Sequence, residues 1–186
     1  MTATAITVLI VIAALPGAAM ALHRRLGNRE WIDPASSVVS LLLASVAALC
    51  AWSGTAPTTH AVSVIGSLAA TTAAVTAGGA IVRSVLIAGG VTRAPAPSAP
   101  PAGRPDEPES GPLRGGRVIG YLERLAVVGT LLLGWPEGLA IILAVKSLAR
   151  FPELRAPHAS EQFIMGTFAS VLWACGMAGV GHLLAV

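Results

Sequence analysis

Long apolar runs recur along this chain and constrain its fold more than any other feature. Residues 4–22, for example, contain no charged side chain. Hydrophobic residues make up 54% of the 186 residues and charged residues only 11%, whereas a soluble domain has about a quarter charged residues. A chain with so little polar surface is typical of a polytopic integral membrane protein, and helices satisfy their own backbone hydrogen bonds in lipid. We therefore predict an all-α fold that crosses the membrane several times.

Six stretches are long and apolar enough to be read as membrane-spanning helices, since a span needs about 20 residues. A segment rich in proline divides them into two groups of three, because residues 94–112 contain seven prolines. We predict an N-terminal three-helix membrane half (1–93), a disordered cytoplasmic linker (94–115) and a C-terminal three-helix bundle (116–186). The predicted spans are 4–22, 35–52, 61–82, 118–135, 138–149 and 162–184.

The basic residues predict the orientation of these spans. All twelve lie in or beside the connections that follow the first, third and fifth spans, and the other two connections have none. By the positive-inside rule, both termini face outward and the basic connections face the cytoplasm. Trp52 and Trp135 then close the outer ends, and Trp31 lies at an inner end.

One span boundary has two interpretations. Residues 61–91 carry Arg83 as their only charge and exceed the length of one straight span. Either Arg83 reaches the inner interface and residues 84–91 continue as a cytoplasmic or interfacial helix, or the span is shifted toward Val91. We prefer the first interpretation.

The compartment follows from the same features. Eleven of the twelve basic residues are arginine and alanine is abundant, which suggests a GC-rich bacterial genome. We expect the first stretch to be a retained helix rather than a cleaved signal peptide, because Arg24 and Arg25 follow its apolar core. We expect a multi-pass protein of the bacterial cytoplasmic (inner) membrane. The net charge of +3 is spread over short connections and does not predict nucleic-acid binding.

Charged residues inside the last three spans are the candidate binding residues. Glu123 and Arg124 lie in the fourth span, and Lys146 and Arg150 in the fifth. In the structural interpretation, Glu123 forms an ion pair with Lys146, or with Arg150 as the second choice. Arg124 then extends to lipid phosphates. In the functional interpretation, Glu123 and Lys146 line a site for a solute, an ion or a lipid headgroup.

Small residues predict close helix packing in the same region. Gly120 lies on one face of the fourth span, and the sixth span has a small residue at every fourth position. This spacing lets helix backbones approach closely, so we expect the sixth helix to pack on the fourth or fifth. The small residues that we expect at this contact on the sixth span are Gly166, Ser170 and Ala174.

No motif indicates catalysis, a metal or a cofactor. The chain has no phosphate-binding glycine loop and no nucleophile with a neighbouring base, and its four histidines are isolated. Cys50 and Cys175 lie in apolar stretches without a partner motif, so we expect buried thiols. We do not expect an enzyme.

Three stretches of the last three spans, at 118–124, 144–151 and 164–170, read VIGYLER, AVKSLARF and IMGTFAS. In these stretches, residues 116–184 resemble the C-terminal membrane segment of a bacterial membrane-protein family of unknown function. Members of that family have an acidic and aromatic pair where Glu161-Gln162-Phe163 stands, so Gln162 is a departure. The first three spans do not share the resemblance. For residues 116–184 the resemblance implies a fold and a set of residues but no activity.

These observations favour a small membrane protein that works by permeation, transport or small-ligand binding at the cytoplasmic end of the C-terminal bundle. The alternative is a non-transporting scaffold or sensor that docks a cytoplasmic protein on its basic connections. In either case we expect the lipid bilayer as a partner and assembly into a homo-oligomer. A polar cavity that reaches Glu123 would favour transport, and a closed, dry bundle would favour the scaffold.

Overall fold

The computed structural model describes residues 1–26, 31–54, 59–90, 116–151 and 157–185. Within these ranges the chain is all-helical, as predicted, and forms six helices. The predicted linker lies outside the described residues. The helices are α1 (Thr2–Leu26), α2 (Ile32–Trp52), α3 (His60–Ala88), α4 (Gly116–Leu132), α5 (Glu137–Arg150) and α6 (Pro157–Leu183).

Four of these helices, α1, α2, α3 and α6, are long and apolar enough to cross a membrane. Large apolar side chains cover their outer faces, as Leu42, Leu68 and Leu172 show with exposed fractions of 63%, 62% and 67%. Such a surface is suited to lipid tails rather than to water. Helices α4 and α5 have 17 and 14 residues, fewer than the roughly 20 that a straight span requires. Four of the six predicted spans are therefore long and apolar enough to cross a membrane, and the prediction of six spans is not confirmed.

The core lies between α3 and α6, which form the most extensive helix pair in the described part of the chain. Its α3 side is built from alanines, including Ala70, Ala74 and Ala77, all at most 1% exposed. On α6, Ala174 is completely buried, and a Cβ atom at Gly181 would lie 3.2 Å from the Cβ of Ala70. Small side chains let the two helices approach closely, and dispersion contacts then hold them in lipid.

The division into two three-helix halves is not confirmed by this packing. Helix α3 belongs to the predicted N-terminal half, yet it packs on α6 and α4 of the C-terminal half as well as on α1 and α2. Buried residues of both halves form one continuous core. The predicted boundaries at 93 and 115 fall outside the described residues and stay a prediction.

Helices α4 and α5 form a tight hairpin. At the end of α4, Trp135 N–H donates to Thr130 O (2.8 Å) and Gly134 N–H donates to Leu131 O (3.1 Å). Gly134 has φ 74°, which completes a Schellman motif at a position that favours glycine. A Cβ at Gly138 would lie 2.7 Å from Thr130 Cγ2, so α5 starts in close contact with α4. The hairpin returns α5 along α4 toward the first turns of that helix.

Candidate functional site

Charged residues from several helices gather at one end of the bundle. Arg83 near the end of α3 contacts Asp33 in the first turn of α2, and it lines the same cleft as Arg117 and Arg150. We call this end the basic end and define it by these four residues. The connections that carry most of the other basic residues lie outside the described residues, so their side of the membrane stays a prediction.

A cleft of about 730 Å³ opens at the basic end between α3, α4, α5 and α6. All four candidate binding residues line it, and so do Gly120, Gly166 and Ser170 from the predicted packing set. Ala174 is the member of that set that lies in the core instead. The polar lining residues are Arg83, Arg117, Tyr121, Glu123, Arg124, Lys146, Arg150, Gln162, Thr167 and Ser170.

An ion pair between α4 and α5 lies in the wall of the cleft. Lys146 Nζ donates to Glu123 Oε2, and the two side chains are 20% and 23% exposed. Lys146 Nζ also lies 5.9 Å from the centre of the Phe163 ring on α6. The predicted pair is confirmed, with Lys146 rather than Arg150 as the partner of Glu123. Each member is half-buried, so the pair is reachable from the cleft and also holds the hairpin closed.

The prediction that Arg124 extends to lipid phosphates is wrong. Arg124 is only 4% exposed, and its guanidinium lies between α3 and α6. Nε donates to Val75 O at 3.2 Å and Nη1 donates to Ser170 Oγ at 3.5 Å, while the Tyr121 ring centre lies 5.6 Å from Cζ. Arg124 therefore forms the floor of the cleft.

Gly78 on α3 is the reason that Arg124 can be buried. A Cβ there would lie 2.5 Å from Arg124 Cδ and 3.0 Å from Trp173 Cδ1. Next to this gap Trp173 Nε1 donates to Ala74 O at 3.2 Å. Sequence reasoning missed Gly78, and the only signal was the adjacent pair Gly78-Gly79 within an alanine-rich span.

Gly120 and Gly166 line the cleft, and their expected role in close helix packing stays a prediction. A Cβ at Gly120 would lie 3.6 Å from Nη1 and Nη2 of Arg124, and one at Gly166 would lie 3.7 Å from Val82 Cγ1. Both are ordinary contact distances, so these glycines leave room in the cleft. Farther along α6, Ser170 and Ala174 are buried at 6% and 0% exposure. Helix α6 packs more extensively on α3 than on α4, so the expected partner was also incomplete.

A second polar cluster joins α1, α2 and α3 at the basic end. Arg83 donates from Nε to Asp33 Oδ2 (2.8 Å) and from Nη2 to Asp33 Oδ1 (3.0 Å), and His23 Nε2 lies 3.7 Å from Asp33 Oδ1. Ser37 and Ser84 are hydrogen-bonded at 2.8 Å. Helix α3 continues past Arg83 to Ala88. Both interpretations of the third span fit a helix that continues past Arg83, so the choice between them stays a prediction.

The chemistry available in the cleft is that of anion binding and ion pairing. Within the described ranges, no three His, Cys, Asp or Glu side chains form a group that could hold a metal ion. Cys50 and Cys175 are free thiols on α2 and α6, and neither lines the cleft. No protein-family model matches this chain, and no curated protein or solved structure matches it either. Its function is therefore argued from the cleft.

Proposed function

We propose that the protein binds a small solute in the cleft at the basic end and moves it across a membrane. The observation that carries this proposal is the open polar cleft whose wall contains the Glu123–Lys146 pair. Charged residues at membrane depth are costly, and they commonly mark solute or ion pathways. A closed and dry bundle would have favoured a scaffold instead.

Six membrane spans are part of this proposal. At 1.5 Å per residue, α4 and α5 are about 26 Å and 21 Å long. A Cβ at Gly181, close to the end of α6, would lie 3.4 Å from Leu132 Cδ2 at the end of α4. Lys146 then brings α5 back to the cleft. Both hairpin helices thus run between the level of Gly181 and the basic end, and local thinning of the bilayer accommodates their short length.

The orientation is the second part of the proposal. The positive-inside rule places the basic end in the cytoplasm and both termini outside, in a bacterial cytoplasmic membrane. The cleft then opens toward the cytoplasm. The resemblance of residues 116–184 to a bacterial membrane-protein family stays a prediction, since no family model matches the chain, and so does assembly into a homo-oligomer.

Gly120 and Gly129 offer a matched test of the cleft, because both are glycines of α4. Gly120 lines the cleft, whereas a Cβ at Gly129 would meet nothing within 4 Å. The full-length protein is reconstituted into liposomes, and currents are recorded on a solid-supported membrane after exchange of potassium chloride, phosphate or glutamate. Gly120→Leu is expected to abolish the current because its side chain fills the cleft, while Gly129→Leu retains it.

Two outcomes would contradict the proposal. A current that Gly120→Leu leaves unchanged would show that the solute does not pass through the cleft. The absence of current for all three salts would exclude transport of these ions and favour the scaffold that docks a cytoplasmic protein.

A further inference from the structure

We infer that the ligand of the cleft carries a phosphate group, an inference that rests on the proposed function. The first ground is the charge of the lining, which contains five basic residues and one acid. Lys146 is paired with Glu123, and Arg83 is paired with Asp33 of α2. Arg117 and Arg124 form no ion pair with any residue that the structure describes.

The amount of positive charge matches a phosphate better than a carboxylate. Arg117 and Arg124 together supply two positive charges beyond the two ion pairs. A phosphate monoester carries a charge of about −1.5 to −2 at neutral pH, whereas a carboxylate carries one. Like charges repel strongly where the local dielectric constant is low, so a ligand with two negative charges relieves most of the repulsion.

The second ground is the fixed position of the Arg124 guanidinium. Gly78 gives space to its stem, and Val75 O and Ser170 Oγ accept from Nε and Nη1. Nη2 makes no hydrogen bond to the described residues, and Arg124 lines the cleft beside Gly120, whose Cβ would lie 3.6 Å from Nη2. A guanidinium held in this way presents planar donors that fit phosphate oxygens.

The third ground is size. A cleft of about 730 Å³ is far larger than a bare phosphate ion, so it has room for the group to which the phosphate is esterified. Tyr121 and Phe163 line the same space and offer ring surfaces to that group. A soluble phosphate ester and a phospholipid headgroup share this chemistry, since the basic end lies at the depth of lipid phosphates in the proposed orientation.

Binding to the protein in dodecyl maltoside micelles, which contain no phosphate, tests the inference. Glycerol 3-phosphate is titrated against glycerol, its neutral counterpart, and against acetate at equal ionic strength. In a second arm, micelles with and without added phosphatidylglycerol are compared. Saturable stabilisation by glycerol 3-phosphate alone identifies a soluble ester, and stabilisation by phosphatidylglycerol alone identifies a lipid headgroup. Either result supports the inference if it depends on the cleft.

Two arginine variants test that dependence. Arg124 also packs in the core, so Arg117→Gln is the cleft variant, and Arg25→Gln on the exposed end of α1 is the control. Arg117→Gln is expected to weaken binding by about tenfold, the cost of one charge-assisted contact. Arg25→Gln is expected to leave it unchanged.

The unfavourable outcomes separate the inference from the proposed function. Equal binding to wild type, Arg117→Gln and Arg25→Gln would overturn the inference by showing a non-specific charge effect. If neither phosphate probe binds while chloride or glutamate gives a current that Gly120→Leu abolishes, the phosphate inference fails and the proposed function stands. If no probe binds and no current appears, both fail.

Discussion

Arg124 of α4 occupies the space that Gly78 of α3 leaves empty. A Cβ at Gly78 would lie 2.5 Å from Arg124 Cδ and 2.7 Å from Nε. A glycine in one helix thus places a guanidinium from another between α3 and α6. The burial of this charge is tolerable because Val75 O and Ser170 Oγ accept hydrogen bonds from it.

Gly78→Ala should destabilise the protein. The new methyl group must displace Arg124 or separate α3 from α4, and overpacking of this kind costs about 1–3 kcal/mol. Gly79→Ala is the matched control, since its Cβ would lie 3.6 Å from Arg83 Nη1 and it gains the same helix propensity. Unfolding by sodium dodecyl sulfate, followed by tryptophan fluorescence, measures both. Equal midpoints for the two variants would mean that Arg124 does not fill the gap at Gly78.

The Glu123–Lys146 pair should appear as a coupling energy in a double-mutant cycle. Glu123→Gln and Lys146→Met each remove one charge and leave the other half-buried. Each change is expected to cost about 1–3 kcal/mol, below the cost of breaking a fully buried pair, because the side chains are 23% and 20% exposed. The double variant should recover part of the loss. Additive losses in unfolding free energy would show that the two residues act independently.

Asp33→Asn should have a small effect that depends on salt. Arg83 is bonded to both oxygens of Asp33, but its side chain is 51% exposed. Such a pair contributes below about 1 kcal/mol, and salt screens it. Unfolding midpoints at low and high salt, with Asp33→Asn and Arg83→Gln alone and combined, test this. A loss that persists in high salt would show that the Asp33 carboxylate contributes more than a screened surface ion pair.

Gly181→Leu should separate α3, α4 and α6. A Cβ at Gly181 would already lie 3.2 Å from Ala70 Cβ and 3.4 Å from Leu132 Cδ2, and a leucine side chain extends farther. The loss is expected to be about 2–3 kcal/mol in unfolding free energy, near the upper end for overpacked cores. Gly179→Leu is the control, because its Cβ would meet nothing within 4 Å. If both variants unfold at the same midpoint, α6 does not make its close approach at Gly181.

Cysteine labelling should establish the orientation. In a background with Cys50→Ala and Cys175→Ala, Ser53→Cys is expected to react with a membrane-impermeant thiol reagent added outside cells. Gly116→Cys at the basic end should react only in inside-out vesicles. Both positions are exposed, so access depends on the side of the membrane. The reverse labelling pattern would overturn the proposed orientation.

The Glu123–Lys146 pair was predictable because its two members lie at similar depth on consecutive antiparallel helices. The burial of Arg124 was not. Snorkelling is the usual expectation for an arginine near a span end, and the gap that receives it comes from Gly78 on a distant span. Arg124 and Gly78 could have been connected only if the packing of α3 on α4 had already been known.

The α3–α6 core was predictable in part. Sequence reasoning identified the small-residue stripe of α6 but not the matching alanines of α3, such as Ala70, Ala74 and Ala77. In an alanine-rich chain many other alanines have the same spacing, so the spacing alone did not identify these residues as part of the core. Grouping the helices by their order along the chain then led to two halves, whereas packing joins α3 to the last helix.

The pairing of α3 with α6 also sets a sequence of events for a chain that emerges residue by residue from the ribosome. Helices α1, α2 and α3 can pack on one another as soon as they are inserted. The alanine face of α3, however, has no partner until α6 is made, after the linker and the α4–α5 hairpin. A nascent chain that stops before residue 157 leaves this face open to lipid, so we expect membrane quality-control proteases to degrade such fragments faster than the full chain.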